Sequence, residues 1–320
     1  MAQRPRIAVL MDPIRSINPA KDSTLAMMLA AQARGAELQC FEQGDLWVRD
    51  GVAMARLRPV AVRDDLEDWF TLGEPVVTPL SDVDVVLMRK DPPFDTEYIY
   101  TTYLLERAEA AGTLVVNRPQ GLRDMNEKVY TAWFPECCAP TLITRNMADM
   151  AAFMAEHGRV VCKPLYGMGG RSIFVLDFGD KNANVVFETL TEYGQRYAIA
   201  QRYIPDIVQT GDSRILLIDG EPVEYALARI PTATDNRGNL AAGAKGFGRP
   251  LDERDRWLCS RMGPVLRERG MMFVGLDVIG GFVTEINVTS PTGIRELEKQ
   301  FKLDIAGRFI DAVLARLDRS

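Results

Sequence analysis

The chain has a single histidine, His157, and that scarcity removes several chemistries at once. A Ser-His-Asp triad or a histidine-bearing zinc site needs a well-placed imidazole. His157 lies in Ala155-Glu156-His157-Gly158, which reads as the last turn of a helix stopped by glycine. There are five cysteines, Cys40, Cys137, Cys138, Cys162 and Cys259, with no C-x-x-C spacing. An odd number without metal-type spacing predicts reduced, packed thiols and a cytoplasmic compartment. No apolar run approaches the ~20 residues that span a bilayer, so no membrane partner is expected. The basic residues Arg4 and Arg6 lead into a strand too short for a signal-peptide core. Positive charge is also short: 38 Lys and Arg against 44 Asp and Glu leave a net charge of −6, which argues against a nucleic-acid coat.

What remains is a globular composition, 47% hydrophobic and 26% charged, in 320 residues, enough for two or three domains. Apolar strands are predicted over 6–11, 38–41, 83–88 and 113–117, with helices over 22–34 and 96–111 between them. Strands alternating with helices predict a doubly wound parallel sheet. Asp12 and Arg89 then fall just past the carboxyl ends of strands, where open α/β sheets bind ligands. Asp124-Met125-Asn126-Glu127 has capping-box spacing and predicts a helix carrying Lys128. From Val160 the texture changes to short strands and hairpins, over 160–163, 172–176, 197–203, 214–218 and 221–230. Helices follow over 254–269 and 304–317.

The richest stretch is Thr284-Glu285-Ile286-Asn287-Val288-Thr289-Ser290-Pro291. Its alternation is that of a half-buried strand, which places Glu285 and Asn287 on one face. A carboxylate beside an amide oxygen suits a hard divalent cation bridging phosphates. Asp277 lies in the preceding apolar strand, with Gly280 and Gly281 between the two. A plain two-residue turn there puts Asp277 opposite Thr284, on the wrong face. A three-residue connection, Gly280-Gly281-Phe282, or a bulge is therefore expected if Asp277 is to join Glu285 and Asn287. Taken alone, Glu-x-Asn describes a solvated outer face equally well.

Other signals are modest one by one. Gly167-Met168-Gly169-Gly170 lies between two strands and could cradle phosphate with backbone N–H groups. It does not open a helix, and no G-x-x-x-x-G-K-[ST] occurs, so both the Rossmann fingerprint and the P-loop are excluded. Lys163 ends the strand before that loop and could reach phosphates, as could Lys128. Arg214 and Arg229 lie on neighbouring strands. Residues 231–249 are rich in glycine and lack apolar periodicity, which predicts a lid or a disordered segment in preference to a passive surface loop.

In order, these are a helix lysine, a strand lysine, a glycine loop, Gln201, hairpin arginines, a lid, an acid and Glu-x-Asn. In that order the chain resembles the ATP-grasp superfamily and, within it, the bacterial glutathione synthetase family. Specific to that family are Arg89-Lys90-Asp91-Pro92-Pro93-Phe94-Asp95 and Arg237-Gly238-Asn239-Leu240-Ala241-Ala242-Gly243. The resemblance implies an N-terminal α/β domain over 1–122 and an ATP-grasp fold of two α+β subdomains, over 123–203 and 204–320. It implies ATP-dependent joining of γ-glutamylcysteine to glycine through an acyl phosphate, with Mg²⁺ or alternatively Mn²⁺, in a homo-tetramer. It further implies that Lys128, Lys163, Gly167, Met168, Gly169, Gly170, Gln201, Tyr203, Ile204 and Asp212 bind nucleotide. Asp277, Glu285 and Asn287 would bind metal. Arg89, Arg229, Asn239, Ser290 and Thr292 would bind the peptide, while Arg214, Arg237 and Lys245 would act in catalysis. The lid departs from the family pattern: Ala244-Lys245-Gly246-Phe247 stands where glycine, arginine, glycine and an acid are expected. Two alternatives stay open at this point, a ligase of the superfamily with another peptide acceptor and a non-catalytic Mg-ATP-binding module.

Overall fold

A computed structural model describes residues 4–167, 170–230 and 245–317, with the backbone alone at Lys245. Three sheets organise it. The first is built from β1 (Arg6–Leu10), β2 (Glu37–Phe41), β3 (Leu46–Arg49), β4 (Val52–Val62), β5 (Phe70–Leu72), β6 (Val76–Pro79), β7 (Val85–Met88) and β8 (Leu114–Val116). Helices α1 (Ser23–Ala33), α2 (Thr96–Ala110) and α3 (Pro119–Asp124) accompany it. Strands β2, β1, β7 and β8 are parallel neighbours. Alternate residues of β1 and β7 serve opposite faces. Ala8, Leu10, Val86 and Met88 pack with Tyr98 and Leu105 of α2. Ile7, Val9, Val85 and Leu87 pack with Leu25 and Met28 of α1. Strands buried on both faces read as continuous apolar runs, which is why they were legible. Helices α1 and α2 each start on a side-chain cap: Asp22 accepts from the Leu25 N–H at 2.6 Å and Asp95 from the Tyr98 N–H at 2.9 Å.

The parallel-sheet expectation needs one extension. Beyond β2 the sheet continues antiparallel through β4, which also pairs with β3, β5 and β6. No strand over 42–82 is expected from the sequence, so β3 to β6 are additions.

The second sheet is antiparallel, in the order β11 (Phe174–Asp177), β10 (Arg159–Pro164), β12 (Ala198–Arg202), β9 (Thr141–Thr144). Helices α4 (Met147–His157) and α5 (Ala183–Thr191) cover it, and Met150, Val160, Cys162, Phe187 and Ala200 form its own core. His157 ends α4 and Gly158 (φ 74°) stops it, as the sequence implied.

The third sheet is antiparallel too. Its order is β15 (Lys245–Pro250), β14 (Glu221–Ile230), β13 (Asp212–Ile218), β16 (Phe273–Ile279), β17 (Phe282–Asn287). Helix α6 (Glu253–Glu268) packs Leu258 and Met262 on one face, while α8 (Ile305–Leu317) packs Phe309 and Ile310 on the other. Helix α7 (Ile294–Phe301) follows the turn after β17. Residues of the first and third sheets share both of these cores, whereas the second sheet keeps a separate one. All five cysteines are free and buried, so ordinary packing accounts for them. Among the described residues no helix is long and apolar enough to cross a membrane.

Candidate active site

A cavity of about 1030 Å³ lies between the second and third sheets. One wall is cationic. Lys163 comes from the end of β10 and Lys128 from the chain just before a short 3-10 segment, Val129–Trp133. The helix expected to carry Lys128 is thus absent. Asn126 Oδ1 instead accepts from the Lys128 and Val129 N–H groups at 3.1 and 3.0 Å, and this local turn sets the backbone. Both ammonium groups lie 3.6 Å from Glu285 Oε1. Lys128 also donates to Glu127 Oε1 and to the Gly167 carbonyl. Burial alone would lower the Lys128 pKa, but Glu285 and Glu127 hold it above its ordinary value. Glu127 is pushed up by burial and by the Glu285 charge.

Directly beside the lysines lies the hairpin of β16 and β17. Gly280 (φ 55°) and Gly281 (φ 76°) form a two-residue turn, so Ile279 faces Phe282 and Val278 faces Val283. The register then slips by one, and Asp277 stands opposite Glu285. Thr284 is the extra residue, and its Oγ1 donates to the Asp277 carbonyl at 3.2 Å. Of the two devices the sequence allowed, the bulge is the one found. Asp277, Glu285 and Asn287 all line the cavity.

Arg214 and Arg229 share a face, because Arg229 is opposite Asp212, two residues before Arg214. Arg214 grips Asp277 through two hydrogen bonds of 2.6 and 2.8 Å, and Arg229 Nη2 reaches both Asp277 (3.0 Å) and Asp212 (2.6 Å). A side chain at Gly275 would strike Arg214, so that glycine leaves room for the arginine to lie across the sheet. Burial would raise the Asp277 carboxyl, but the two arginines outweigh it and hold it well below the usual carboxylate range. Asp212 differs. Burial, with the Asp277 and Glu285 charges adding to it, pushes Asp212 up to about 6 against the pull of Arg229. Its Oδ1 is buried without a hydrogen-bond partner.

The sign of the resulting pH dependence follows from proton binding. The folded protein holds the Asp212 proton more tightly than the unfolded chain, whose value is near 3.8. This group's contribution is present below pH ~4 and is lost as pH rises towards ~6. Asp212→Asn is therefore expected to remove a decline of about 2–3 kcal/mol across that window. Urea unfolding of both proteins at a series of pH values checks it. The opposite slope from Asp277 falls below pH ~4.

The remaining expected residues divide plainly. Gly167, Gly170, Gln201, Tyr203, Ile204, Ser290 and Thr292 line the cavity. Gln201 is buried and donates to Thr141 Oγ1. Met168, Gly169, Arg237 and Asn239 lie outside the described residues, as does most of the expected lid. Residues 245–249, which the sequence reading gave to that lid, belong to β15. Arg89 does not line the cavity. It is 5% exposed and lies behind the wall, donating to Thr24 Oγ1 and the Pro291 carbonyl. Through the Pro291 carbonyl it supports the 290–292 turn. Burial lowers its pKa, with Asp22 and Asp91 pulling the other way. Glu127, Lys21 and Glu296 line the cavity and were missed by the sequence reading. For Glu127 a signal existed, since it directly precedes Lys128.

The donor set of Asp277, Glu285 and Asn287 is two carboxylates and an amide, all hard oxygen donors suited to Mg²⁺. Asn287 Nδ2 donates to the Gly275 carbonyl at 3.3 Å, which leaves its amide oxygen for a ligand. The residues present therefore fit a divalent cation held beside anionic phosphates.

A cation-lined cavity between two α+β units, floored by a carboxylate-bearing hairpin, defines an ATP-grasp ligase. Solved structures of that fold cover nearly the whole chain. A D-cycloserine synthetase aligns with a TM-score of 0.70 at 16% identity, covering 98% of this chain and 99% of that one. An ATP-grasp ligase crystallised with a minimal precursor, Mg and ADP aligns with a TM-score of 0.61 at 16% identity, covering 98% of each. The family described as prokaryotic glutathione synthetase matches through its N-terminal domain over residues 6–123 and its ATP-grasp domain over 127–302. The glutathione synthetase of Pseudomonas putida is 56% identical over 312 residues, 98% of each chain. That of Escherichia coli K12 is 54% identical over 314 residues, 98% of this chain and 99% of the other. The chain belongs to the prokaryotic glutathione synthetase family.

Proposed function

We infer that this chain catalyses the ATP-dependent ligation of γ-glutamylcysteine to glycine, with release of ADP and phosphate. The observation that carries it is the pairing of Lys128 and Lys163 with Glu285 across one cavity, in a chain that belongs to this family along nearly its whole length. Triphosphate oxygens would take over the two ammonium groups. Next to them, Val161, Val175, Ile207 and Ile279 offer an apolar slot beside Gln201 to Ile204, suited to a purine. The unpartnered Asp212 Oδ1 is a buried acceptor for a ribose hydroxyl. Asp277, Glu285 and Asn287 would hold Mg²⁺, which when bound neutralises phosphate charge.

In the first step the cysteinyl carboxylate of the dipeptide forms a bond to the γ-phosphorus and the bond to the β,γ-bridging oxygen breaks, giving an acyl phosphate and ADP. In the second, the glycine amine attacks the acyl carbon, phosphate leaves with its electron pair, and the amine loses a proton. Such transfers rest on positioning and charge neutralisation, so no imidazole is needed. Arg214 and Arg229 sit where they can offset charge on the transferred group. Ser290 and Thr292 offer hydroxyls to the peptide, on a turn held from behind by Arg89. The test is phosphate release from Mg-ATP. Release that needs both γ-glutamylcysteine and glycine supports the reading. Equal release with other dipeptides in place of γ-glutamylcysteine would replace it with a different ligase, and no turnover with any acceptor would replace it with a nucleotide-binding module.

A further inference from the structure

Asn117 directly follows β8 of the first sheet, outside the cavity and outside every motif described above. It is 4% exposed. Its Nδ2 donates to the Phe273 carbonyl at 2.8 Å and to the Val288 carbonyl at 2.7 Å. Its Oδ1 accepts from the Phe273 N–H at 2.9 Å. A side-chain amide has two donors and one oxygen acceptor, and here all are engaged by backbone of another sheet.

The place of those contacts matters. Phe273 opens β16 and Val288 directly follows β17. The ladder between these strands ends with Gly275 opposite Asn287. At one end the hairpin is closed by its glycine turn. At the other, where the two strands leave each other, Asn117 bridges them and satisfies both carbonyls. Val288 adjoins Asn287, so the bridge fixes the open end of the hairpin, next to Asn287 and two ladder pairs from Asp277 and Glu285.

We propose that Asn117 is a positioning residue for the metal site, holding β16 and β17 at the separation that lets their three donors converge. The proposal rests on the reading of Asp277, Glu285 and Asn287 as metal ligands. Partners that orient metal ligands typically account for about 10–100-fold in metal affinity. Arg89 supports the same chain segment three residues later, at Pro291, and so bears on the turn rather than on the ligands.

Two variants of the full-length protein test this. Asn117→Val approximates the shape and removes every hydrogen bond. Asn117→Thr keeps one donor. Binding of Mn²⁺ in the presence of ADP, followed by electron paramagnetic resonance, is expected to weaken about 10–100-fold in the valine variant and by less in the threonine variant. Metal-free ADP binding is expected to stay within about twofold of the parent in both. A role in stability alone would lower the melting temperature and leave Mn²⁺ affinity unchanged, and that result overturns the proposal. Failure of both variants to fold would assign Asn117 to the fold and overturn it as well. Glu285→Gln is the control. If Glu285→Gln also binds Mn²⁺ as the parent does, the metal-ligand reading itself has failed, whereas a loss there without loss in the Asn117 variants refutes only the present step.

Discussion

Replacing Glu285 by glutamine, or Asn287 by alanine, is expected to lower turnover on the order of 10²–10³-fold while the protein stays folded, the scale seen when one preorganised electrostatic group is removed from a site. Both side chains line the cavity and neither fills a core. Glu285 does have a second role in the ligand-free protein, since it is the shared counter-charge of Lys128 and Lys163, each 3.6 Å from its Oε1. Glutamine keeps the shape and removes that charge. The two lysines then face a phosphate chain without a competing carboxylate, so metal-free ATP is expected to bind at least as tightly as to the parent. Weaker metal-dependent turnover together with undiminished metal-free nucleotide binding is a pairing that a damaged fold does not produce. Steady-state phosphate release at saturating Mg²⁺, alongside nucleotide titration in EDTA, reads both. Unchanged turnover in either variant would remove that residue from the metal site.

Arg229→Met is expected to cost about 3–5 kcal/mol of stability in the ligand-free protein, the range for removing one partner of a buried ion pair. Arg229 is 5% exposed and reaches two carboxylates, Asp212 at 2.6 Å and Asp277 at 3.0 Å. Asp277 keeps Arg214 when Arg229 is lost, but Asp212 has no other ion-pair partner among the described residues. Most of the cost therefore comes from Asp212, and the double variant Arg229→Met with Asp212→Asn is expected to recover a large part of it. A lowered urea midpoint with an unchanged slope, partly restored in the double variant, is the expected outcome. A midpoint indifferent to Asp212→Asn in the Arg229→Met background would mean that the carboxylate protonates or finds water at little cost.

Which features could be read from the chain follows from how far apart their causes lie in sequence. Strands β1, β7 and β16 were plain because burial on both faces writes a continuous apolar run. Glu285 and Asn287 were plain because alternation over a few residues fixes a common face. The segment 42–82 was not read, although β4 alternates from Ala53 to Leu57, because Pro59 and the small residues Ala53 and Ala55 blur the apolar count. Lys128 was found, but on the wrong backbone, since a capping-box spacing at 124–127 does not reveal that Asn126 closes a single turn. Arg89 stands out in the sequence, but its setting does not. Its partners, Thr24 and Pro291, are 65 and 202 residues away, and no local pattern encodes such a meeting. Asn117 was hidden for the same reason, as the last polar residue of what reads as an ordinary strand.

The bulge at Thr284 also constrains how the length of this hairpin can change. Along a strand the side chains keep a phase of two, and a shift by one residue turns every following side chain over. Here one additional residue has already been absorbed between the glycine turn and Glu285. Deleting Thr284 would remove the bulge and still leave Asp277 opposite Glu285, whereas drawing Thr284 into the ladder would put it opposite Asp277 and turn Glu285 and Asn287 to the other face. Adding two residues at the turn would leave the phase untouched. The pairing of Asp277 with Glu285 thus depends on Thr284 staying outside the ladder, so the bulge is itself part of the ligand set.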